Sequence, residues 1–167
     1  MKLSWEVSTM TSCYQFVGMN NYQVPGTTDW VSRSVAVVLC IQVGNYFLIQ
    51  RRGPGCPDEV GRWALTCGYL DYDETAEEAA VREAYEELGL EISSNQLEFL
   101  GVNSDPRAGG PRQNVTIHFL VRIPTIKGLR PDPGEVSEVA LIDVFDVPAY
   151  NLAFGHSDVI YEALCPR

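Results

Sequence analysis

The chain has 167 residues, with 12 Lys or Arg against 22 Asp or Glu, and its formal net charge is −10. A hydrophobic fraction of 46% excludes a disordered chain, and the length indicates one domain with a core of its own. The acidic charge argues against a protein that binds duplex nucleic acid, and no apolar run is long enough to span a membrane.

The N-terminal segment 1–30 is polar and rich in turn-forming residues, and we interpret it as an extension that precedes one domain of residues 31–167. It lacks the apolar stretch of a secretory signal. The cysteines are odd in number and lack the Cys-x-x-Cys spacing of a zinc site, which favours free thiols and a cytoplasmic location. They stand at Cys13, Cys40, Cys56, Cys67 and Cys165.

Strand and loop signals come first in the domain. Residues 34–41 form a continuous apolar run, which predicts a buried strand. A Gly44-Asn45 turn followed by residues 46–50 predicts a hairpin. Gly and Pro in residues 51–57 predict a loop, and residues 63–66 predict a short strand that ends before Gly68.

Residues 75–88 carry the strongest helix signal. Thr75 and Glu78 have the spacing of a capping box, and Gly89 stands where a helix commonly ends. Further strands are predicted at 97–102, 114–123 and 139–144, and a last helix at 158–164. This mixture predicts an α/β fold, a sandwich of helices around a mixed β-sheet.

Three carboxylates share one face of the predicted helix. Glu83, Glu86 and Glu87 stand at i, i+3 and i+4, where they repel one another, and no Lys follows at i+4. A hard divalent cation such as Mg²⁺ would offset this repulsion, because it takes oxygen ligands. A solvated acidic face is the alternative that the cluster alone leaves open.

The spacing around the cluster resembles the Nudix box, the signature of the Nudix hydrolase superfamily. It reads Gly, five residues, Glu, seven residues, Arg-Glu, two residues, Glu-Glu, one residue, and then Gly with an aliphatic residue. The resemblance implies a Nudix-type α/β/α sandwich around a mixed β-sheet over about residues 35–165. The matching positions are Gly68, Glu74, Arg82, Glu83, Glu86, Glu87, Gly89 and Leu90.

The resemblance implies a metal site and a catalytic group. Glu86 and Glu87 would be the principal ligands of Mg²⁺ or Mn²⁺, with the Cys67 carbonyl as a further ligand. Glu83 would ligate a second ion or help to activate water, and Arg82 would orient it through an ion pair. The expected catalytic residues are therefore Glu83, Arg82 and Glu87.

Supporting roles are implied for Gly68 and for Glu74, which would complete the charge network at the start of the helix. Two positions depart from the usual pattern of the family. Ala84 replaces a larger aliphatic residue, which predicts slightly looser packing. Cys67 stands where the family usually has Gly, which predicts backbone strain if that position requires a positive φ.

Two segments outside the box resemble the ADP-ribose pyrophosphatase-like branch of the family. They are residues 104–119 and the Ala-Phe-x-His stretch within residues 152–160. In the first, Arg107 or Arg112 is predicted to bind phosphate, as is Arg52 at the end of a strand, because guanidinium geometry suits phosphate. An ordinary hairpin loop, and a solvated surface position for Arg52, are the alternatives.

Two acidic residues and two histidines are further candidates for the site or the core. In the family a downstream acid often ligates metal or acts as the base, and either Glu135 or Glu138 is a candidate. His156 is predicted to cap or pack against the last helix. His118 lies in an apolar strand and is predicted to be a hydrogen-bonded core or sheet-face histidine.

Together these inferences predict divalent-metal-dependent hydrolysis of the pyrophosphate bond in a nucleoside diphosphate linked to another moiety. ADP-ribose, cleaved to AMP and ribose 5-phosphate, is the favoured substrate. The alternatives are a pyrophosphohydrolase of nucleoside triphosphates, damaged ones included, and a non-catalytic sensor of a nucleotide metabolite. The expected partner is thus a small nucleotide and neither nucleic acid nor membrane. A homodimer is a further hypothesis, based on the aromatic residues of segment 1–30 and on family habit.

Overall fold

The computed structural model describes residues 34–105 and 114–165, and in these ranges seven strands form one sheet. The strands are β1 Val35–Val43, β2 Tyr46–Arg52, β3 Trp63–Ala64, β4 Thr66–Tyr69, β5 Glu98–Asn103, β6 Val115–Arg122 and β7 Val136–Asp143. The α-helices are α1 Ala76–Leu88, α2 Val147–Tyr150 and α3 His156–Leu164. No helix in the described ranges is long and apolar enough to cross a membrane.

The central strand, β1, pairs with two strands along one side, and we call the gap between these two strands, β2 and β4, the fork. On one side it pairs antiparallel with β4 over Ala36–Leu39 and with β2 over Ile41–Val43. On the other side it pairs parallel with β6, which pairs antiparallel with β5. β2 also pairs antiparallel with β3 and β7. The sheet is therefore mixed, which confirms the predicted α/β class, and the fork between β2 and β4 leaves room for side chains from α1.

Both faces of β1 are covered. Val37, Leu39 and Ile41 belong to the core beneath α1, whereas Val38 and Cys40 belong to a second core that includes residues of α3. This double burial explains the continuous apolar run in the sequence, since a strand with one wet face would alternate. The predicted buried strand and the sandwich of two helical layers around the sheet are both confirmed.

The helix α1 begins and ends as predicted. Thr75 accepts from the backbone N–H of Glu78 at 3.2 Å, and the Glu78 carboxylate accepts from the N–H of Thr75 at 2.8 Å. Gly89 ends the helix in the left-handed region, with φ 61°. Ala84 is fully buried against the sheet, so the smaller side chain lies inside the packed face of α1.

Several bounds differ from the sequence prediction. The strand predicted at 63–66 is two strands, because β3 pairs with β2 whereas β4 pairs with β1 and continues to Tyr69. β7 begins earlier, at Val136, which pairs with Arg52 across a register shift. α3 also begins earlier, at His156, and α2 was not predicted. These differences arise from pairing between segments distant in sequence, which local patterns do not contain.

Candidate functional site

A cleft of about 990 Å³ opens among the described residues between the β4–α1 region and the start of α3. Its walls come from both layers of the sandwich and from the loop that follows β2. Most of the predicted site residues that the structure describes therefore meet at one place. Its lining includes Arg52, Cys67, Gly68, Arg82, Glu83, Glu87, Thr116, Glu135, Phe154 and His156.

Arg82 is the organising side chain of the acidic cluster. Its guanidinium donates to both carboxylate oxygens of Glu74, at 2.7 and 3.1 Å, and to the Tyr69 carbonyl at 2.9 Å. It also donates to Glu83 at 2.7 Å and to Glu86 at 2.9 Å. The hydrogen bonds from Arg82 lower the pKa of Glu74. The ion pairs of Arg82 with Glu83 and Glu74 are thus present, and the orienting and supporting roles of these residues stay predictions.

Glu83 lies against the backbone of β4 at Gly68. A Cβ on residue 68 would overlap the Glu83 carboxylate, so only glycine leaves room for it. Burial raises the pKa of Glu83 to about 7, although the Arg82 hydrogen bond and charge oppose that rise. A carboxyl group that titrates near neutral pH can take up and release protons at physiological pH.

Glu87 enters the fork between β2 and β4 and is 4% exposed. Its Oε2 accepts from Gln50 Nε2 at 2.8 Å and from the backbone N–H of Cys67 at 3.2 Å. Burial, together with the charge of Glu83, raises the pKa of Glu87 to about 8 despite these donors. Gln50 was not predicted as a site residue, although a glutamine within the apolar strand β2 indicates a buried polar contact.

Cys67 lies in extended backbone in β4, opposite Val38 of β1, and its φ is not positive. The expected strain from a Cys at this position is therefore absent. Its side chain packs against the core on the α3 side and also lines the cleft. Burial raises the pKa of the Cys67 thiol well above its usual value, so the thiol is protonated at neutral pH.

The carboxylates of the acidic cluster are oxygen donors of the type that a hard divalent cation binds. Glu83 and Glu87 are buried carboxylates whose raised pKa values show that their charges lack full compensation. Glu86 reaches the surface beside them, with its side chain 53% exposed. In the described part of the chain, no three His, Cys, Asp or Glu side chains converge as metal ligands. Arg82 holds Glu83 and Glu86 instead.

Arg52 lies in the cleft wall and not on the solvated surface. Its guanidinium donates to the side chain and carbonyl of Asp58, both at 3.0 Å, and stands 5.0 Å from the centre of the Phe154 ring. The phosphate-binding role of Arg52 stays a prediction. Arg107 and Arg112, for which the same role is predicted, lie outside the described residues, as does the extension 1–30.

The structure separates the two candidate downstream acids. Glu135 lines the cleft, and its charge contributes to the raised pKa values of Glu83 and Glu87. Glu138 faces outward, 3.6 Å from Arg51, with both side chains about half exposed. Glu135 is therefore the acid that faces the site, which the sequence left open.

The histidines take the structural positions that were predicted. His156 is the first residue of α3, and its Nδ1 accepts from the backbone N–H of Leu65 at 3.0 Å. His118 is bonded on both ring nitrogens, to Thr116 at 2.9 Å and to Glu162 at 2.7 Å. Burial lowers the pKa of His156 to about 3, so this ring is neutral. Both residues border the cleft or the smaller cavity that adjoins it.

Comparison with curated proteins gives relatives of several activities. The chain is 32% identical to an isopentenyl-diphosphate Delta-isomerase of Cereibacter sphaeroides, over 69% of this chain and 66% of the isomerase. It is 34% identical to an NAD-capped RNA hydrolase of Schizosaccharomyces pombe, over 49% of this chain and 20% of that protein. The chain thus spans slightly less than two thirds of the isomerase and a fifth of the RNA hydrolase.

Solved structures share the fold. The NUDIX domain of Shewanella oneidensis NrtR, complexed with ADP ribose, has a TM-score of 0.70 at 18% identity, with 96% of this chain and 97% of that chain covered. A bifunctional NMN adenylyltransferase/ADP ribose pyrophosphatase of Francisella tularensis, complexed with AMP and a Mn ion, has a TM-score of 0.67 at 21% identity, with 80% and 41% covered. The family model of the NUDIX domain matches residues 31–163. Gly68, Arg82, Glu83 and Glu87 of the box line one cleft, and the family match shows that the chain belongs to the Nudix family.

Proposed function

We propose that this protein is a divalent-metal-dependent hydrolase of the pyrophosphate bond in a nucleoside diphosphate linked to another moiety. ADP-ribose, cleaved to AMP and ribose 5-phosphate, is the proposed substrate. The observation that carries the proposal is the pair of buried carboxylates, Glu83 and Glu87, beside a cleft of about 990 Å³. Structural neighbours complexed with ADP ribose or AMP support the choice of substrate.

Glu83, Glu86, Glu87 and the Cys67 carbonyl are the proposed holders of Mg²⁺ or Mn²⁺. When bound, such an ion neutralises the diphosphate and lowers the pKa of water. The chain's own residues keep the acids in place. Arg82 holds Glu83 and Glu86 through hydrogen bonds. Glu87 is held by the side-chain amide of Gln50 and by the backbone N–H of Cys67.

Glu83 is the proposed acceptor of the proton from the attacking water. Its Oε1 receives the Arg82 hydrogen bond, which leaves Oε2 for the water molecule. A pKa of about 7 suits general-base catalysis at neutral pH. Water attack on phosphorus then forms one P–O bond and breaks the bridging P–O bond, and the second phosphate leaves with the bridging oxygen.

The net charge of −10 opposes binding of a polyanion unless cations stand between protein and substrate. Metal ions at the acidic cluster and Arg52 in the cleft wall supply that positive charge in this proposal. Arg107 and Arg112 would add to it. The free thiols of Cys40, Cys56, Cys67 and Cys165 agree with the proposed cytoplasmic location.

The experiment is incubation of the purified protein with Mg²⁺ and ADP-ribose, with products separated by chromatography. The proposal expects AMP and ribose 5-phosphate from the parent, and none from Glu87→Gln. Hydrolysis of nucleoside triphosphates instead would establish the alternative pyrophosphohydrolase. Binding of ADP-ribose without turnover by the parent protein would establish the sensor.

A second candidate activity is isomerisation of an isopentenyl diphosphate. It is favoured by the isomerase relatives at 30–35% identity and by the protonated Cys67 thiol, which lines the cleft beside Glu83 and Glu87. A thiol and a carboxylate could donate and accept the two protons that movement of a double bond requires. Proton NMR of isopentenyl diphosphate with the protein and Mg²⁺ tests it, and Cys67→Ala should abolish such a reaction.

A further inference from the structure

The end of the cleft near α3 contains a polar pair and an aromatic ring that the proposed chemistry does not use. Thr116 lies on β6, and Phe154 and His156 stand at the start of α3. All three line the cleft, and we call them the α3 subsite. The inference below rests on the proposed function, because it concerns the part of the substrate that lies away from the phosphates.

The direction of the Thr116 hydroxyl group follows from its contact with His118 and from the contact of His118 with Glu162. Glu162 is a carboxylate and accepts hydrogen bonds, so its contact with His118 Nδ1 at 2.7 Å places a proton on that nitrogen. A ring that carries only this proton has its lone pair on Nε2, which lies 2.9 Å from Thr116 Oγ1. In that state the Thr116 hydroxyl donates to His118, which leaves the lone pairs of its oxygen for a donor in the cleft that Thr116 lines. Thr116 presents a hydrogen-bond acceptor to a ligand.

His156 has the opposite polarity. The Leu65 N–H donates to Nδ1, which must carry the lone pair, so the proton of the neutral ring is on Nε2. His156 is 3% exposed and lines the cleft. Within the described residues, Leu65 is its one hydrogen-bond partner, and Ser34 Oγ is the single buried side-chain polar atom that lacks a partner. The Nε2–H is thus a donor open to a ligand in the cleft.

Phe154 supplies a flat apolar surface between His156 and the guanidinium of Arg52. Its ring is 44% exposed and held by a backbone in the left-handed region, with φ 59°. One neighbour is His156, with ring centres 5.4 Å apart, and the other is the guanidinium of Arg52 at 5.0 Å. An exposed ring supported in this way is suited to stack against a planar ligand group.

We propose that the α3 subsite binds a 6-aminopurine, the base of an adenine nucleotide, and discriminates against a 6-oxopurine. The exocyclic amine donates to Thr116, a ring nitrogen accepts from His156, and the base stacks on Phe154. Hypoxanthine places a carbonyl oxygen opposite the Thr116 lone pairs and a protonated nitrogen opposite the His156 N–H. The phosphates, anchored at the acidic cluster, prevent the ring from reversing to avoid both mismatches.

The test is calorimetric titration of the full chain with AMP and with IMP, each in the presence of Mg²⁺. AMP should bind roughly tenfold or more tightly than IMP, because a matched pair of hydrogen bonds discriminates by this order. Thr116→Val should reduce the ratio to about threefold or less, and Thr116→Ser should retain it. The matched control is Thr125→Val in an exposed loop, which should leave the ratio unchanged.

Glu162 and His118 are positioning residues in this proposal, since they act through Thr116. Glu162→Gln can donate to His118 and move the ring proton to Nε2, which would turn the Thr116 hydroxyl proton into the cleft. The AMP to IMP ratio should therefore fall, a readout that a purely structural role would not change. Circular dichroism and thermal melting of each variant confirm that it is folded.

Equal affinity of the parent protein for AMP and IMP would overturn the inference, as would failure to bind AMP or a ratio that survives Thr116→Val. The proposed function is judged separately by release of AMP from ADP-ribose. A protein that prefers AMP but does not cleave ADP-ribose would retain the subsite and lose the proposed hydrolysis. A protein that cleaves ADP-ribose and its hypoxanthine analogue equally, and binds AMP and IMP equally, would retain the proposed hydrolysis and overturn the proposed subsite.

Discussion

The carboxylate of Glu83 occupies the space beside the Gly68 backbone that any side chain at residue 68 would need. The strand β4 therefore forms part of the wall that positions this acid. The contact joins the first residue of the box to an acid fifteen positions later, and it explains glycine here by close approach and not by a positive φ.

Gly68→Ala should displace Glu83 and lower kcat by about 100-fold, because a catalytic group misplaced by about 1 Å costs on this order. Initial rates of ADP-ribose hydrolysis measure the effect. The matched control is Gly44→Ala in the β1–β2 turn, where φ is 61° and the added methyl group meets nothing within 4 Å. That variant should lose about 1 kcal/mol of unfolding free energy and keep its rate. Comparable rate losses in both would contradict the argument.

Arg82→Lys should weaken metal binding and turnover by roughly 10- to 100-fold, the usual effect of removing a group that orients metal ligands. A single ammonium cannot reproduce the paired bonds to Glu74 and also hold Glu83 and Glu86. Titration of the variant with Mn²⁺ and steady-state rates measure the two effects. Arg122→Lys is the control, since Arg122 pairs with Glu98 on the surface with both side chains more than half exposed. It should behave as the parent protein does.

Glu87→Gln should abolish turnover and make the metal-free protein more stable. Burial raises the pKa of Glu87 from the ordinary 4.5 to about 8 in the folded state, so the native state retains a proton that the unfolded chain has lost. The contribution of Glu87 to stability is therefore full below about pH 4.5 and is lost as the pH rises through 8. At pH 7 the neutral amide should gain roughly 1–3 kcal/mol.

Urea unfolding in EDTA at pH 5 and pH 8 checks this prediction. The parent protein should be less stable at pH 8 than the variant, and the gap should narrow at pH 5. A variant that is less stable than the parent at both pH values would show that the Glu87 charge is compensated in the native state.

Glu135→Gln should lower kcat by roughly 10- to 100-fold, within the range for loss of a group that assists proton transfer or metal binding. Glu138→Gln should have almost no effect, because its pair with Arg51 is solvated and such pairs contribute little. The two variants have the same charge change, so a difference in rate between them reflects the location of Glu135 in the cleft and of Glu138 at the surface. Equal losses would remove the assignment of Glu135.

His156 should make the protein less stable under mildly acidic conditions. Its pKa falls from 6.5 to about 3 on folding, chiefly through burial, so only the unfolded chain takes up the proton between these values. Its contribution to stability is complete above pH 6.5 and is lost at up to about 1.4 kcal/mol per pH unit below it. His156→Asn keeps an acceptor for the Leu65 N–H but does not titrate. Urea unfolding at pH 7.5, 6.5 and 5.5 should therefore give the variant a shallower slope, and equal slopes would refute the prediction.

Local sequence determined the parts of the site that lie within one helix. The caps at Thr75 and Gly89 bound α1, and the spacing of three and four residues brings the box acids to one face. These relationships follow from helix geometry alone, because each contact joins residues within one or two turns. The strand β1 was also predicted from local sequence, because a continuous apolar run of this length is typical of a strand buried on both faces.

Tertiary structure decided which distant groups meet that helix. Gln50 reaches Glu87 because β2 and β4 pair with different parts of β1 and leave a gap between them. Glu135 faces the cleft because β7 pairs with β2 across a register shift. The polarity of Thr116 depends on Glu162 in α3, 46 positions away in the chain. Sheet pairing and helix packing bring together residues that are far apart in sequence, and no local pattern predicts such contacts. The contacts within a helix join residues three or four positions apart, so the local sequence predicts them.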